Sequence, residues 1–211
     1  MRLREGIHWN KSGIRSKIRG GLMRVGIMGF IYRNSPEKLI KTALFSGRIT
    51  HSRPISDAAS IAGAYIVKLA LNGVEPREMF KPILNVTEGI SQEFTKALKN
   101  SYEIAHSVIG DEDALRKFGQ GWYADEIFAF AYFCILHYPK DYKKVVKIAV
   151  NITGDSDSVG SVVGGVLGAM LGIEAVPVSW TEALKDKVKL EEMVLPLLDK
   201  YSQVSRNKLG S

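Results

Sequence analysis

Residues 154–158 read Gly-Asp-Ser-Asp-Ser, and a run of valine, leucine and glycine follows. Asp155 and Asp157 stand two residues apart, with the Ser158 hydroxyl next to them. Carboxylates and hydroxyls are hard oxygen donors, which suit Mg²⁺, Mn²⁺ or Ca²⁺ better than zinc. A simpler account is that the acids sit at a helix start, where orphan N–H groups and the dipole favour negative charge. That explains one acid comfortably and strains at two acids plus a hydroxyl. A calcium loop of the EF-hand type can be tested directly. With Asp155 at position 1, Asp157 and Gly160 fall at 3 and 6 as required. Val159 and Val166 then fall at positions 5 and 12, where oxygen ligands are needed, so this loop is excluded.

The element that must hold this turn is unusual. Gly160, Gly164, Gly168 and Gly172 recur every fourth residue, on one face of a helix beginning near Ser158. Each interior glycine costs about 1 kcal/mol relative to alanine. The opposite face is filled by Val162, Val163, Val166, Leu167, Met170 and Leu171. The pattern predicts a central helix that lets a neighbour approach along its glycine face and pins the acidic turn at its start.

Helical signals dominate elsewhere, and the sum is a compact all-α domain of about eight to ten helices. Ser35-Pro36 opens a helix that Gly47 stops. An alanine-rich helix starts near Ser56-Asp57 and ends at Asn72-Gly73. A short helix spans Pro76 to Leu84, and a longer one runs from Thr87 or Ser91 to about Val108, stopping at Gly110. The unbroken apolar run Ile127–Leu136 belongs in the middle of the protein. Asp141–Val150 form a helix or an extended stretch, and a final helix covers residues 189–203. Trp122 and the aromatic residues 123–133 read as core, and Asp125 and Glu126 as decoration of a first turn.

With 211 residues, the chain makes one domain or at most two small ones. No apolar run looks long enough to span a membrane, and no signal peptide is visible. Cys134 stands alone, so no disulfide framework forms within the chain, which suits a cytoplasmic setting. The net charge of +7 is uneven: residues 1–33 hold eight bases against Glu5, and 21 bases face 21 acids in the rest. This basic N-terminal segment is either a solvated surface or an arm that attracts phosphates on a nucleotide or nucleic acid. No nucleic-acid-binding motif accompanies it.

The stretch AVNITGDSDSVGSVVGGVLGAMLG resembles the C-terminal metal motif of the ADP-ribosylglycohydrolase family. Three further stretches are similar to family segments in the family's order: GGLMRVGIMGF (20–30), ITHSRP (49–54) and GQGWYADEIFAFAYF (119–133). The resemblance implies an all-α ADP-ribosylglycohydrolase-like bundle over residues 1–211. It implies hydrolysis of ADP-ribosyl linkages at the C1″ carbon of the ribose, with one or two Mg²⁺ ions or Mn²⁺. Carried over by residue, it makes Asp155, Asp157 and Ser158 metal ligands. Gly20 and Gly21 then approach the substrate phosphates through their backbone, and His51 contacts the ADP-ribose. The substrate is ADP-ribose on a protein or a small conjugate.

The family's Thr-Asp-Asp triplet and its acidic residue near the scissile bond belong to a segment that precedes the Gly-rich stretch. This sequence contains no Thr-Asp-Asp, so the expectation is half of a metal site, with the catalytic carboxylate unassigned. Two carboxylates and a hydroxyl cannot close an octahedral Mg²⁺ shell alone. Activity is then weak or lost unless another chain completes the site, and uncovered apolar surface favours self-association. The competing readings are a module that binds ADP-ribose without cleaving it, and an interaction protein whose basic arm docks on nucleic acid.

Overall fold

In the computed structural model of the chain, residues 2–8, 11–17, 21–107 and 111–206 are described. They form two compact units, Met1–Ala175 and Val176–Ser211. The first carries α1 (Gly26–Ile31), α2 (Pro36–Arg48), α3 (Pro54–Leu71), α4 (Phe80–Thr87), α5 (Gln92–Ala105), α6 (Asp111–Arg116), α7 (Ala124–His137), α8 (Tyr142–Val150) and α9 (Ser156–Leu171). The second carries α10 (Val178–Glu182) and α11 (Lys187–Arg206), the latter with Pro196 inside it. The architecture is all-α. The uncertain stretch at 141–150 is helix, because the Asp141 carboxylate caps it by accepting Lys144 N–H at 2.9 Å. The helix expected from Thr87 or Ser91 starts after Ser91, whose Oγ accepts the Phe94 N–H at 3.2 Å. It ends at Ala105 with His106 as its C-cap, short of the expected Val108, and Val108 and Gly110 themselves lie outside the described residues.

α7 is the axis of the first unit. Every residue of the apolar run Ile127–Leu136 is buried, as a helix apolar on all sides requires. Tyr132 brings a hydroxyl into this core and donates it to Pro76 O at 2.8 Å, and burial pushes its phenol far above the ordinary range. α5, α3 and α9 pack around α7, and α8 covers α9. α3 is long and apolar enough, by length and composition, to cross a membrane, which corrects the sequence expectation. It is 78% buried inside the protein and serves as a core helix.

Residues read as caps turn out to join elements. α3 begins at Pro54, two residues before Ser56-Asp57, because proline suits the first helical position. Ser56 is free to donate its hydroxyl to Ser16 O at 3.1 Å. Asp57 is buried and takes a two-pronged contact from Arg48, Nη2 to Oδ2 at 2.8 Å and Nε to Oδ1 at 3.1 Å. The pair ties the end of α2 to the start of α3, and the carboxylate holds the Arg48 guanidinium above its ordinary pKa. Gly47, read as a stop, lies inside α2 and is buried, against Ser60 of α3.

The N-terminal segment is not a free arm where it is described. Ile14 N–H donates to Thr50 O (2.9 Å), Ser52 N–H to Ile14 O (3.0 Å), and Ser12 Oγ to Ile49 O (3.0 Å). An isolated parallel bridge pairs Ile14 with His51. Lys17 forms an ion pair with Glu93 of α5 at 2.8 Å.

Replacing Asp57 with Ala removes the buried half of the α2–α3 ion pair. Arg48 keeps 39% side-chain exposure and can reach water, so the expected loss, about 2–3 kcal/mol in urea unfolding, falls below that of a wholly buried pair.

Candidate functional site

Three of the core helices run the same way, and their starts meet. Ser16 O receives the Ser56 hydroxyl at the start of α3, and the next residue, Lys17, receives Ala124 N–H at the start of α7 at 3.1 Å. Gly121, just before α7, lies against Val159 and the Asp155 carbonyl at the start of α9. At the far end, Ala70, Pro139, Met170 and Leu171 line one small cavity, so the three C-terminal ends also meet. Aligned helices add their dipoles, so the positive ends of all three face one region.

The acidic turn lies in that region. Gly154 has φ +133°, and a Cβ there would overlap the Gln120 carbonyl. That carbonyl accepts Asp155 N–H at 3.1 Å. Gln120 sits in the 119–122 loop, which wraps the Glu126 carboxylate. Glu126 Oε2 accepts Trp122 N–H at 3.1 Å and Tyr123 N–H at 3.4 Å, the return half of a capping box. Glu126, read as a first-turn decoration, thus shapes the loop that seats Asp155.

Asp155 occupies the N-cap position of α9 yet makes no capping hydrogen bond with the helix. Its side chain is buried at 7% exposure, Ser158 is completely buried, and Asp157 is exposed. The turn therefore presents one sheltered and one solvent-facing carboxylate. Their oxygens fit a hard divalent cation by donor chemistry, and with Ser158 they amount to half of an octahedral shell. Among the described residues, no three His, Cys, Asp or Glu side chains gather into a metal-binding group.

The glycine face of α9 differs from expectation. Val150 of α8 presses on Gly160 and the Tyr142 hydroxyl on Gly164, while Gly168 has nothing close to it. Gly172 (φ +78°) ends the helix instead of extending the face. The tightly packed side is the valine side, Val159, Val162, Val163, Val166 and Leu167.

Gly21 lies beside Gly47 and Ser60, with room for no Cβ: one would stand 2.9 Å from Gly47 Cα. The turn it opens, Leu22–Arg24, packs on both α3 and α9. Gly20 lies outside the described residues. His51 is half-buried on the segment bridged to Ile14, and its Nδ1 lies 2.9 Å from Thr50 Oγ1. Trp122 and Tyr123 are 47% and 45% exposed, against the expectation of core. The Trp122 ring nitrogen donates to Gln120 Oε1 at 3.1 Å, beside the acidic turn. Tryptophan next to two loop glycines, ahead of the helical run, was the available sign that it stands outside the core.

The family model for ADP-ribosylglycohydrolase matches residues 1–207. This chain belongs to the ADP-ribosylglycohydrolase family. It is 27% identical over 204 residues to an uncharacterized protein of Archaeoglobus fulgidus, covering 96% of this chain and 65% of that one. It is 26% identical over 192 residues to ADP-ribosylhydrolase ARH3 of Mus musculus, covering 78% of this chain and 52% of that one. A solved structure of an ADP-ribosylglycohydrolase-related protein complex superposes with a TM-score of 0.73 at 23% identity, over 92% of this chain and 69% of that one. The ADP-ribosylglycohydrolase chain described here thus spans between half and two thirds of those two relatives.

Gly154→Ala should be among the more damaging single-methyl changes in this ADP-ribosylglycohydrolase, because a left-handed φ and a backbone carbonyl both oppose the new Cβ. A loss of about 3 kcal/mol is expected in denaturant unfolding. Asp125 gives a pH-dependent counterpart. Its Oδ1 is buried without a hydrogen bond, in a cavity of about 500 Å³ between α5, α6 and α7. Burial, aided by the Glu126 charge, raises its carboxyl above the ordinary range, against the pull of first-turn N–H groups. The folded state therefore holds this proton more tightly than the unfolded chain. Its contribution to stability is present below the ordinary aspartate pKa and is lost as pH rises through the folded value. Asp125→Asn should raise the urea midpoint at pH 7 and leave it nearly unchanged at pH 3.

Proposed function

We propose that this chain takes part in hydrolysis of ADP-ribosyl linkages at the C1″ carbon of the ribose. A divalent cation, Mg²⁺ or Mn²⁺, would be held in part by Asp155, Asp157 and Ser158. The observation that carries the reading is the meeting of the α3, α7 and α9 starts beside the acidic turn. ADP-ribose brings a pyrophosphate dianion, two riboses and an adenine. The converging helix starts favour the pyrophosphate, as helix N-termini favour anions generally. Gly21, expected to approach the phosphates, is buried, and its missing Cβ instead lets the Leu22–Arg24 turn close on Gly47 and Ser60. The exposed face of Trp122 offers a stacking surface of the kind bases use. His51 supplies a polar contact on the α2–α3 connection.

At an anomeric carbon, the transition state carries oxocarbenium-like positive charge as the leaving group departs. The two carboxylates set negative charge beside that centre, Asp155 sheltered and Asp157 open to water. The chemistry a divalent cation supplies when bound is polarisation of the oxygens around the reacting carbon. The similarity to the mouse ADP-ribosylhydrolase supports the same reaction class. A second reading, binding of ADP-ribose without turnover, is favoured by the half-shell of donors in the acidic turn.

The two readings separate in one experiment. Proteins ADP-ribosylated on arginine or on serine are incubated with the chain in Mg²⁺ or in EDTA, and free ADP-ribose is followed by mass spectrometry. Mg²⁺-dependent release is expected, falling about 10²-fold or more in Asp155→Ala and Asp157→Ala. No release where a longer relative turns over, together with calorimetric binding of ADP-ribose, would select the binding module. Neither release nor binding would sink both.

A further inference from the structure

The Arg24 guanidinium is turned toward the end of α2. Its Nη2 donates to Ser46 O and, at 2.8 Å, to Thr50 Oγ1, while its Nε donates to Ser46 Oγ at 3.3 Å. Partial burial lowers its pKa, yet an arginine remains charged and has only N–H groups to offer. The Thr50 oxygen must therefore act as acceptor toward Arg24. That leaves its single proton to be given elsewhere, and two acceptors lie within reach. Gly47 O is 3.4 Å away and already accepts Thr50 N–H (3.2 Å) and His51 N–H (3.0 Å). His51 Nδ1 is 2.9 Å away. A carbonyl oxygen has two lone pairs, so Gly47 O is saturated, and the shorter contact takes the proton.

We infer that Arg24 is a positioning residue that acts through Thr50 to hold His51 in one tautomer, with Nδ1 accepting and Nε2 carrying the proton. Two backbone N–H groups and one guanidinium fix the direction of the hydroxyl, and the hydroxyl fixes the ring. His51 then meets a ligand as a donor through Nε2–H and does not serve as a proton acceptor at that atom. The matching ligand chemistry is an oxygen acceptor, such as a phosphate oxygen or a ribose oxygen. This last step rests on the reading that His51 faces ADP-ribose; the tautomer itself does not.

Long-range proton–nitrogen correlation spectra of the full chain, labelled with ¹⁵N at histidine, read the tautomer directly. The chain has four histidines, and His51→Asn identifies the signal. The wild type should show the Nε2–H pattern. Thr50→Ser should keep it, and Thr50→Val should lose it toward a mixture or the Nδ1–H form. Arg24→Met should move it the same way, and serves as the second variant if Thr50→Val melts early. An Nδ1–H pattern in the wild type, or an unchanged pattern in a folded Thr50→Val, overturns the assignment. Calorimetry with ADP-ribose tests the consequence: Thr50→Val should weaken binding about tenfold and Thr50→Ser less than about twofold, as loss of one oriented hydrogen bond implies. Equal binding by wild type and Thr50→Val overturns the donor role. No binding by wild type overturns the functional reading alone and leaves the spectra to decide the tautomer.

Discussion

The Gln120 carbonyl oxygen stands where a side chain at residue 154 would have to be, and there it receives the N–H of Asp155. Only a glycine with positive φ can pass it. That contact fixes where α9 begins relative to α7, and so fixes the direction of a helix that also packs on α3 and α8. The loop that supplies the carbonyl is in turn held by Glu126, whose carboxylate gathers the N–H groups of Trp122 and Tyr123. A short chain of contacts, the Glu126 carboxylate to two N–H groups and the Gln120 carbonyl to a third, thus connects a first-turn acid of α7 with the acidic turn of α9.

The parallel run of α3, α7 and α9 is the second consequence. Side-by-side helices of the same direction repel through their dipoles, and the apolar burial of α3, α7 and the valine side of α9 offsets that cost. What the arrangement provides is a shared positive end. Residues 14–17 and the 119–122 loop lie across it, held by hydrogen bonds. The basic character of the first 33 residues acquires a structural meaning here. Its residues 12–17 are stitched across the α2–α3 connection and the starts of α3 and α7, where Lys17 pairs with Glu93.

Gly21, Gly47 and Ser60 form a further close contact that the same end depends on. Two glycines in sequence-distant elements meet over one serine, and neither tolerates a side chain. The turn that carries Arg24 is thereby held against α3, within reach of the last turn of α2 and of Thr50.

Periodicity and composition by themselves determined a great deal. Apolar spacing predicts the helices, the unbroken run 127–136 its central burial, and Gly-Asp-Ser-Asp-Ser its place at a helix start. These are local properties, set by 3.6-residue repeats and by backbone preferences that neighbours in sequence decide. The pairing of Asp57 with Arg48, the burial of Gly47 inside α2 and the service of Glu126 to a loop were not legible. Each depends on which atom from a distant element arrives at that place. The glycine face of α9 shows the boundary well. Its helical spacing was in the sequence, whereas only packing could decide that α8 covers two of its glycines and that the valines carry the close contact. Tertiary structure decided the site for the same reason: burial, hydrogen-bond direction and the sum of helix dipoles are properties of neighbours in space.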